Sequence, residues 1–438
     1  MTEPPASLPE HLFRHVAGRL VATLTRVVGP ARLDLAEEVV QEALVKAVEA
    51  WPYQGVPENP AGWLYAVARH RALDRLRREA VLRRKVAALG PLVAEHAPGR
   101  PGEHDDQLAM IFLCCHPALS QAGRMALTLK AVGGFGVDEM AAALLTRPAA
   151  IAQQLVRAKR RIRARALRFE LPAAADLSER LESVLEVLYL LFTEGYQAHQ
   201  GERLTRAALC EEAVRLGRLL LESPTTRRPA VHALLALMLL QSSRLPARTD
   251  AAGDVLRLDE QDRSRWSRGA IQEGFEHLER AATGDRVTAY HVEAAIAACH
   301  AATVDGGATD WTRVLALYDE LLVIKPSPVV ALNRALALAM VEGPRAGIRA
   351  LGSLARHRAL RGYHLLPAAL GALWQRAGDE ARAARCYRTA ERQAASEPTR
   401  RFLAAQAARL RPASRSGRRR GTGGRARPGG PMSRAPAS

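Results

Sequence analysis

The sequence has few cysteines, and none of them falls into a pattern typical of metal sites or disulfide frameworks. Five cysteines are scattered through 438 residues, with no CxxC pair and no regular spacing. Disulfide-rich domains and structural zinc sites both depend on such spacing. We therefore predict reduced cysteines in the core, no metal site and no cofactor.

Long apolar runs and common catalytic motifs are also missing. The longest apolar stretches, such as AVHALLALMLL at 230–240, are shorter than the roughly 20 residues that a membrane-spanning helix needs. With no visible signal peptide, we expect a cytoplasmic protein that has no membrane partner. No nucleophile elbow, P-loop or HExxH motif occurs, so an enzyme is disfavoured and no catalytic residue is predicted.

Alternating β-branched segments, which are typical of strands, are scarce. Apolar residues instead recur at three- and four-residue steps, and Pro, Gly and Asp separate the segments. This pattern predicts an all-α fold, with helices at 9–28, 34–51 and 60–88. The polar, turn-rich stretch HAPGRPGEHDD (96–106) predicts a linker, followed by helical blocks at 106–168 and 178–410.

Positive charge dominates the chain. The formal net charge is +18, of which eight charges belong to arginines in the acid-free segment 411–438, so the remainder still carries +10. An excess of this size favours a polyanionic partner, nucleic acid before membrane. For the segment 411–438 itself we predict a disordered tail.

The strongest motif is a short helix followed by a basic helix. Residues 137–144 are predicted to form the first helix, residues 145–147 a tight turn, and the segment IAQQLVRAKRRIRARALRF (151–169) the second helix. The second helix has one apolar face, formed by Ile151, Leu155, Ala158, Ile162 and Ala166, and seven Arg or Lys within residues 157–168. This is the spacing of a helix-turn-helix, whose second helix enters the major groove of DNA.

The candidate DNA contacts fall into two groups on this basic helix. Side chains of its first turns would reach base edges, and later basic side chains would lie near phosphates. The base-reading candidates are Gln153, Gln154 and Arg157, and the phosphate-holding candidates are Lys159, Arg160, Arg161 and Arg163. The alternative is an amphipathic helix pair with a solvated basic face. That alternative is disfavoured because no acid separates these charges.

A second basic segment suggests a second contact with DNA. Residues 62–85 carry eight Arg or Lys after position 68, against two acids, and Trp63 and Tyr65 precede this charge. Together with the Pro-broken loop at 52–62, this arrangement suits the capture of an unstacked base. Ahead of it, DLAEEVVQEALVKAVEAW (34–51) combines an apolar stripe through Leu35, Val39, Leu44 and Val48 with an acidic face. In a basic protein such a face suits a protein partner, or else is only a solvated surface.

Together these segments resemble the sigma factors of bacterial RNA polymerase, specifically the extracytoplasmic-function (ECF) group of the sigma-70 family. DLAEEVVQEALVKAVEAW resembles the core-binding helix of region 2, and NPAGWLYAVARHRALDRLRRE its promoter-melting part. LTLKAVGGFGVDEMAAALLTRPAAIAQQLVRAKRRIR resembles region 4. The resemblance divides the chain into region 2 (1–90), a linker (91–106), region 4 (107–170), a helical domain (178–410) and the basic tail (411–438).

The resemblance also implies roles for particular residues, with core RNA polymerase and promoter DNA as partners. The polymerase would dock on Asp34, Glu37, Glu38, Gln41 and Glu42. The −35 element would face Gln153, Gln154, Arg157, Lys159, Arg160 and Arg161. The −10 element would meet Tyr53, Gln54, Trp63, His70, Arg71, Arg75, Arg77 and Arg78. Family members often have Asn at the position of His70, which weakens the expectation of a base-specific contact there. The lack of a long acidic segment between regions 1 and 2 implies an alternative rather than a primary factor.

The C-terminal block carries a repeat. A 35-residue offset superimposes residues 334–350 on 369–385, pairing Gly343 with Gly378 and Ala346 with Ala381. This period is typical of tetratricopeptide (TPR) repeats, which form an α-solenoid, although coincidence in an Ala-rich region remains an alternative. Asp310 is predicted to cap the helix after it, and residues 194–196 to break a helix. The expected partner of this domain is a regulatory protein or a small ligand.

Two further functions stay open from the sequence. The first is a helix-turn-helix transcriptional regulator with a TPR sensor domain, which binds duplex DNA without being a sigma subunit. The second is a TPR scaffold whose basic helices meet acidic proteins. Binding to DNA in the absence of polymerase and the salt dependence of that binding distinguish these functions from a sigma factor.

Overall fold

The computed structural model describes residues 10–83, 103–144, 146–196, 203–248, 260–303, 308–394 and 397–410, and the single residues 250, 256 and 258. Within these ranges the chain forms eighteen α-helices and no strand, which confirms the predicted all-α fold. Most of the predicted linker and the whole basic tail lie outside the described residues.

The N-terminal block consists of three helices close to their predicted positions. They are α1 (Glu10–Val28), α2 (Leu33–Gln54) and α3 (Pro60–Arg83). Gly55, which follows α2, has a φ of +81°, a conformation that glycine adopts without strain. Leu24, Val39 and Leu64, one from each helix, are fully or almost fully buried and build the core of this block.

The second block contains the predicted helix pair. Its helices are α4 (Glu103–Cys114), α5 (Gln121–Leu127), extended by a π-helical turn (Thr128–Val132), α6 (Val137–Ala143) and α7 (Pro148–Ala164). Four of the five residues predicted for the apolar face of α7 are buried: Ile151, Leu155, Ala158 and Ile162. Ala166 is exposed, because α7 ends at Ala164 and the chain turns there. Residues 103–106, predicted as linker, already belong to α4.

The first two blocks pack directly against one another. Helix α1 approaches the π-helical turn so closely that a Cβ atom on Gly18 would lie 2.2 Å from the carbonyl oxygen of Val132. Arg26 of α1 pairs with the buried Asp106 of α4. One apolar core therefore runs through both blocks and continues into the C-terminal helices as far as Ala294.

Eleven further helices form the C-terminal block of the described chain. They are α8 (Leu177–Tyr196), α9 (Arg203–Glu222), α10 (Pro229–Ser242), α11 (Arg268–Ala281), α12 (Ala289–Ala301), α13 (Trp311–Ile324), α14 (Pro328–Val341), α15 (Pro344–Leu354), α16 (Leu365–Arg376), α17 (Glu380–Gln393) and α18 (Glu397–Arg409). Asp310 caps α13 by accepting a hydrogen bond from the Arg313 amide at 2.9 Å, as predicted. Helix α8 includes residues 194–196 and ends at Tyr196, so it ends at the edge of the predicted break rather than before it.

Helix α8 connects the C-terminal block to the second block. Arg124 of α5 donates to Ser183 Oγ at 2.6 Å and pairs with Glu186 at 2.9 Å. Arg180 donates to the Phe112 carbonyl at 2.7 Å, and Ser183 Oγ donates to the Cys115 carbonyl at 2.5 Å. These buried or half-buried contacts hold α8 against α4 and α5, so the two blocks are joined by more than the chain between them.

One apolar segment, residues 229–247, is long enough to meet a simple criterion for a membrane span. Its helical part, α10, is instead a core helix. Residues 233–240 of α10 are all buried and contact neighbouring helices of the C-terminal block. A fully apolar helix of this kind is expected where it is surrounded on all sides.

The cysteines follow the sequence prediction in part. All five are free thiols, but only Cys114, Cys115 and Cys210 are buried, whereas Cys299 and Cys386 are half-buried. In the part of the chain that the structure describes, no group of three or more His, Cys, Asp or Glu side chains could hold a metal ion.

The repeat predicted from the sequence corresponds to two successive helix pairs. Gly343 lies between α14 and α15 with φ +91°, and Gly378 lies between α16 and α17 with φ +81°. The match is less regular beyond the glycines, because Ala346 is buried while Ala381 is exposed and Ala383 is buried in its place. The helix starts also differ, since α15 begins directly after Gly343, whereas Asp379 separates Gly378 from α17.

Candidate nucleic-acid interface

Helix α7 presents a polar and basic surface on the side away from its apolar face. Gln153, Arg157, Arg160 and Arg161 are exposed, and Gln154 is half-buried. Pro148 is the first residue of the helix, where its fixed φ and missing N–H carry no cost, and it helps to set the direction of α7 after the turn. Five of the six predicted −35 contacts are thus accessible to solvent, at least in part.

The sixth predicted −35 contact, Lys159, is occupied by the N-terminal block. Its ammonium lies 2.7 Å from Asp34 Oδ1 and 2.7 Å from Glu37 Oε2, and its side chain is only 12% exposed. Arg163 adds a contact of 3.0 Å to Asp34 Oδ2. The sequence placed these cations on DNA and these acids on a protein partner, and in this structure they bind one another.

These ion pairs shift the pKa values of Asp34 and Lys159. Burial works against the charge of Asp34, but the hydrogen bond and positive charge of Lys159, aided by Arg163, outweigh it and lower the pKa of Asp34. Burial likewise opposes the charge of Lys159, but Glu37 and Asp34 outweigh it and raise the pKa of Lys159. Asp34 and Lys159 therefore attract each other in their charged forms at neutral pH.

The other half of the acidic surface of α2 pairs with α3. Glu38 and Glu42 both contact the guanidinium of Arg75, and Glu42 also lies 3.8 Å from Arg71. The hydrogen bond that Arg75 donates to Glu38, followed by the negative charges of both acids, raises the pKa of Arg75. The proposed polymerase contacts and two of the proposed −10 contacts thus lie side by side in one charge network.

The structure adds apolar residues to the exposed side of α2 that the sequence did not identify. Val45 is 56% exposed and Val48 is 68% exposed, and both follow the exposed Gln41 at helical spacing. Val48 was predicted in the inward stripe with Val39; only Val39 is buried, while Leu35 and Leu44 are half-buried. Exposed valines at this spacing favour a contact surface for a protein partner.

The loop predicted at 52–62 is shorter in the structure, because residues 52–54 still belong to α2 and residues 60–62 already belong to α3. The end of α2 and the start of α3 expose one aromatic ring and bury another. Tyr53 is 91% exposed, and Gln54 is exposed beside it. Trp63 is half-buried and packs edge-to-face on Trp51 with ring centroids 5.6 Å apart. Tyr65, which the sequence also suggested for base capture, is 4% exposed and belongs to the core.

The remaining −10 candidates lie along α3. His70 is exposed and lies 3.3 Å from Asp74, one helical turn further on. Arg77 and Arg78 are exposed at the end of the described side chains of α3. A ligand from solvent can therefore reach the ring of Tyr53, the amide of Gln54 and the guanidinium groups of Arg77 and Arg78.

Comparison with known proteins finds two matching families and a related protein. Residues 12–81 match the family described as Sigma-70 region 2, and residues 180–282 match a family of unknown function, DUF6596. A protein of Rhizobium meliloti (strain 1021), described as uncharacterized protein R00370, is 40% identical over 357 residues, which is 79% of this chain and 83% of that protein. The relation to R00370 therefore extends well beyond the residues that the two families cover.

Proposed function

We propose that this chain, which belongs to the sigma-70 family and shares a family with R00370, is an alternative sigma factor of the ECF type. In this role it directs core RNA polymerase to specific promoters and assists promoter melting. The observation that carries the proposal is the match of α1–α3 to sigma-70 region 2, followed in the same chain by α6 and α7 with an exposed, acid-free basic face. As for other proteins of this type, we expect a cytoplasmic location and no catalytic activity of its own.

We assign recognition of the −35 element to the exposed side of α7. Gln153 and Gln154 lie in the first turns of the helix, where side chains of a helix in the major groove meet base edges. Glutamine pairs with adenine through two hydrogen bonds, and arginine pairs with guanine in the same way. Arg157 is therefore a third base-reading candidate, whereas Arg160 and Arg161 lie further along the helix and suit phosphates.

We assign the −10 contact to Tyr53, Gln54 and the basic side of α3. A tyrosine ring that is 91% exposed has a free face on which an unstacked base can stack. Arg77 and Arg78 supply positive charge for the DNA backbone. Trp63 packs against Trp51, so we assign it a structural role beside this surface and not a stacking contact with a base.

We assign polymerase binding to the exposed side of α2. Glu38, Gln41, Val45 and Val48 lie on this side, where the two valines supply apolar area and Glu38 supplies charge. Asp34 and Glu37 belong to the same surface but are paired with Lys159, which leaves Asp34 half exposed and Glu37 largely buried. Glu37 and Lys159 are largely buried while they are paired, so we propose that α7 leaves α2 when polymerase and promoter bind.

For the C-terminal block we propose a TPR-like solenoid with a regulatory or interaction role. Its support is the two helix pairs with left-handed glycines 35 residues apart, and a series of small apolar cores, each shared between sequential helices. Such local cores are typical of repeat proteins, in which each unit contacts mainly its neighbours.

In-vitro transcription with sigma-free core polymerase and a pool of promoter fragments tests this function. We expect the full-length chain to start transcripts from a subset of promoters and to bind the same duplexes poorly without polymerase. If it protects specific DNA without polymerase and starts no transcript with it, the function is instead that of a helix-turn-helix regulator. The full chain is required, because ending it near Phe169 would remove α8, which deprives Arg124 of Ser183 and Glu186 and the Phe112 carbonyl of its hydrogen bond from Arg180.

A further inference from the structure

A polar cavity lies among five helices of the C-terminal block. It has a volume of about 340 Å³ and is lined by residues from α8, α10, α12, α13 and the first two turns of α14, and by Arg244 and Lys325, which follow α10 and α13. Its apolar wall includes Ile296, Leu321 and Val330. This size and this mixture of apolar wall and polar groups are typical of small-molecule sites.

The charges that line this cavity are more positive than negative. Arg244 and Lys325 are the cations and Glu293 is the acid. Both oxygens of Glu293 are engaged, since Tyr189 donates to one at 2.8 Å and Lys325 to the other at 3.1 Å. Arg244 is held in place by a hydrogen bond of 2.7 Å to the Tyr196 hydroxyl, and its guanidinium has further N–H groups. Glu293 therefore holds Lys325 in position, and both of its oxygens are already used within the chain.

Polar groups at this cavity also lack partners within the chain. The Nδ1 atom of His300 is buried without a hydrogen bond in the described part of the chain. The amide side chains of Gln241 and Asn333 line the cavity and make no hydrogen bond to other described residues. An unpaired buried polar atom is costly, so His300 Nδ1, together with the half-buried amides of Gln241 and Asn333 at the same cavity, favours a polar ligand.

His300 adds a hydrogen-bonding group rather than a third positive charge. Burial, reinforced by Arg244 and Arg263, lowers the pKa of His300 to about 4, so the ring is neutral at pH 7. Trp311 packs against the ring with centroids 5.4 Å apart and fixes its orientation. The cationic groups that remain are Arg244 and Lys325, and the first turn of α14, with Ser327, adds the positive end of a helix dipole.

We propose that this cavity binds a small amphipathic anion, a carboxylate or a phosphate monoester with an apolar body. The acid group lies between Arg244 and Lys325 at the start of α14, and the apolar body lies against Ile296, Leu321 and Val330. His300, Gln241 and Asn333 supply hydrogen bonds to polar atoms of the body. The site depends on the C-terminal block alone and holds whether or not the chain is a sigma factor.

Ligand-observed NMR on the full-length protein tests this site with three matched probes: benzoate, phenyl phosphate and the neutral amide benzamide. High salt screens the exposed basic residues elsewhere on the chain. We expect at least one of the two anions to bind and benzamide to bind more weakly. Lys325→Met should weaken anion binding by about tenfold or more, which is the scale of one charge-assisted hydrogen bond. Lys46→Met, which removes an exposed lysine from α2, should leave binding unchanged.

A second variant separates loss of the site from loss of folding. Lys325→Met leaves Glu293 without its cation, so the double variant Lys325→Met/Glu293→Gln removes both charges together and should also lose anion binding while keeping the wild-type melting temperature. The proposal is overturned if neither anion binds, if benzamide binds as tightly as the better anion, or if anion affinity is unchanged in the folded double variant. Preference for phenyl phosphate over benzoate, or the reverse, identifies the acid group.

Discussion

The ammonium of Lys159 lies 2.7 Å from Asp34 Oδ1, which joins the proposed DNA-reading helix to the proposed polymerase-binding helix of the same chain. The two residues are 125 positions apart in the sequence. Glu37 completes the cluster at the same distance from Lys159, and its Oε1 atom is buried without a hydrogen bond among the described residues. The acids of α2 therefore occupy Lys159, which DNA would need, and Lys159 occupies acids that the polymerase would need.

Replacing Lys159 tests whether this contact holds α7 on α2. Lys159→Met leaves the largely buried Glu37 carboxylate without its cation, so we expect a loss of about 1–3 kcal/mol in the free energy of unfolding, measured by urea denaturation. In a Glu37→Gln background the same change should cost clearly less. Arg160→Met, on the exposed side of the same helix, is the control and should cost little. Equal losses in both backgrounds would contradict the proposed coupling.

Charge reversal on α2 tests the polymerase surface. Glu38→Lys with Glu42→Lys should reduce co-purification with core polymerase, because it replaces the acidic surface and repels Arg75. Arg75→Met breaks the same ion pairs but keeps both acids, so it should retain polymerase binding and serves as the matched control. Full retention by the doubly reversed variant would reject this docking surface.

Replacing two glutamines of α7 tests promoter recognition. Gln153→Ala with Gln154→Ala should change which upstream elements are preferred in a promoter library, by roughly 1–3 kcal/mol for each lost bidentate contact. Arg160→Ala should instead weaken all promoters to a similar degree, since a phosphate contact carries no base information. An unchanged ranking of promoters in the double variant would count against the −35 assignment.

The sequence predicted local structure well because local structure depends on near neighbours. Apolar period and Pro or Gly positions placed α1, α2, α6 and α7 within a few residues of their observed ends, and Asp310 was identified as a cap. The errors were also local: Ala166 lies past the end of α7, and Val48 lies on the outer side of α2.

The long-range contacts could not be predicted in the same way. An acidic face and a basic face each looked complete as a surface for an outside partner, and no periodicity encodes that Lys159 meets Asp34 and Glu37. The cavity of the C-terminal block also depends on long-range packing. Arg244, His300 and Lys325 are far apart in the sequence and come together when α10, α12 and α13 pack. The exposure of Tyr53 and the burial of Tyr65 likewise follow from packing.

Stability should fall in mild acid because several histidines are held neutral. Burial is the first cause in each of His116, His232 and His300, and nearby positive charge adds to it, so that their pKa values are lowered to about 4. In the unfolded chain these groups take up protons near pH 6.5, so between about pH 6.5 and 4 the unfolded state binds more protons. The free energy of unfolding should therefore be highest above pH 6.5 and fall as the pH drops to 4.

The variant His232→Gln separates this effect from general acid denaturation. His232 is paired with His277 through Nδ1 atoms 2.9 Å apart, and a glutamine keeps a hydrogen-bonding group there without a proton to gain. We expect a shallower fall of stability between pH 6.5 and 4 in this variant, measured by urea denaturation at each pH. His70→Gln, which changes an exposed histidine, should keep the wild-type slope. Identical slopes in wild type and His232→Gln would contradict the assignment.

Two glycines of α15 give opposite expectations and test the packing of the helix pairs. A Cβ atom on Gly347 would lie 2.5 Å from Ala339 Cβ, 2.8 Å from the Ala335 carbonyl oxygen and 2.8 Å from Leu373 Cδ1. Gly347→Ala should therefore lower the free energy of unfolding by about 1–3 kcal/mol, since backbone atoms cannot move aside easily.

Gly352 is exposed on the same helix, and a Cβ atom there would meet nothing within 4 Å. Gly352→Ala should raise the free energy of unfolding by up to about 1 kcal/mol, because alanine restricts the unfolded chain and favours a helix. Thermal and urea unfolding of both variants measure the difference. The close approach of α14, α15 and α16 explains the opposite signs, so stabilisation by both substitutions would show that these helices do not pack at this distance in solution.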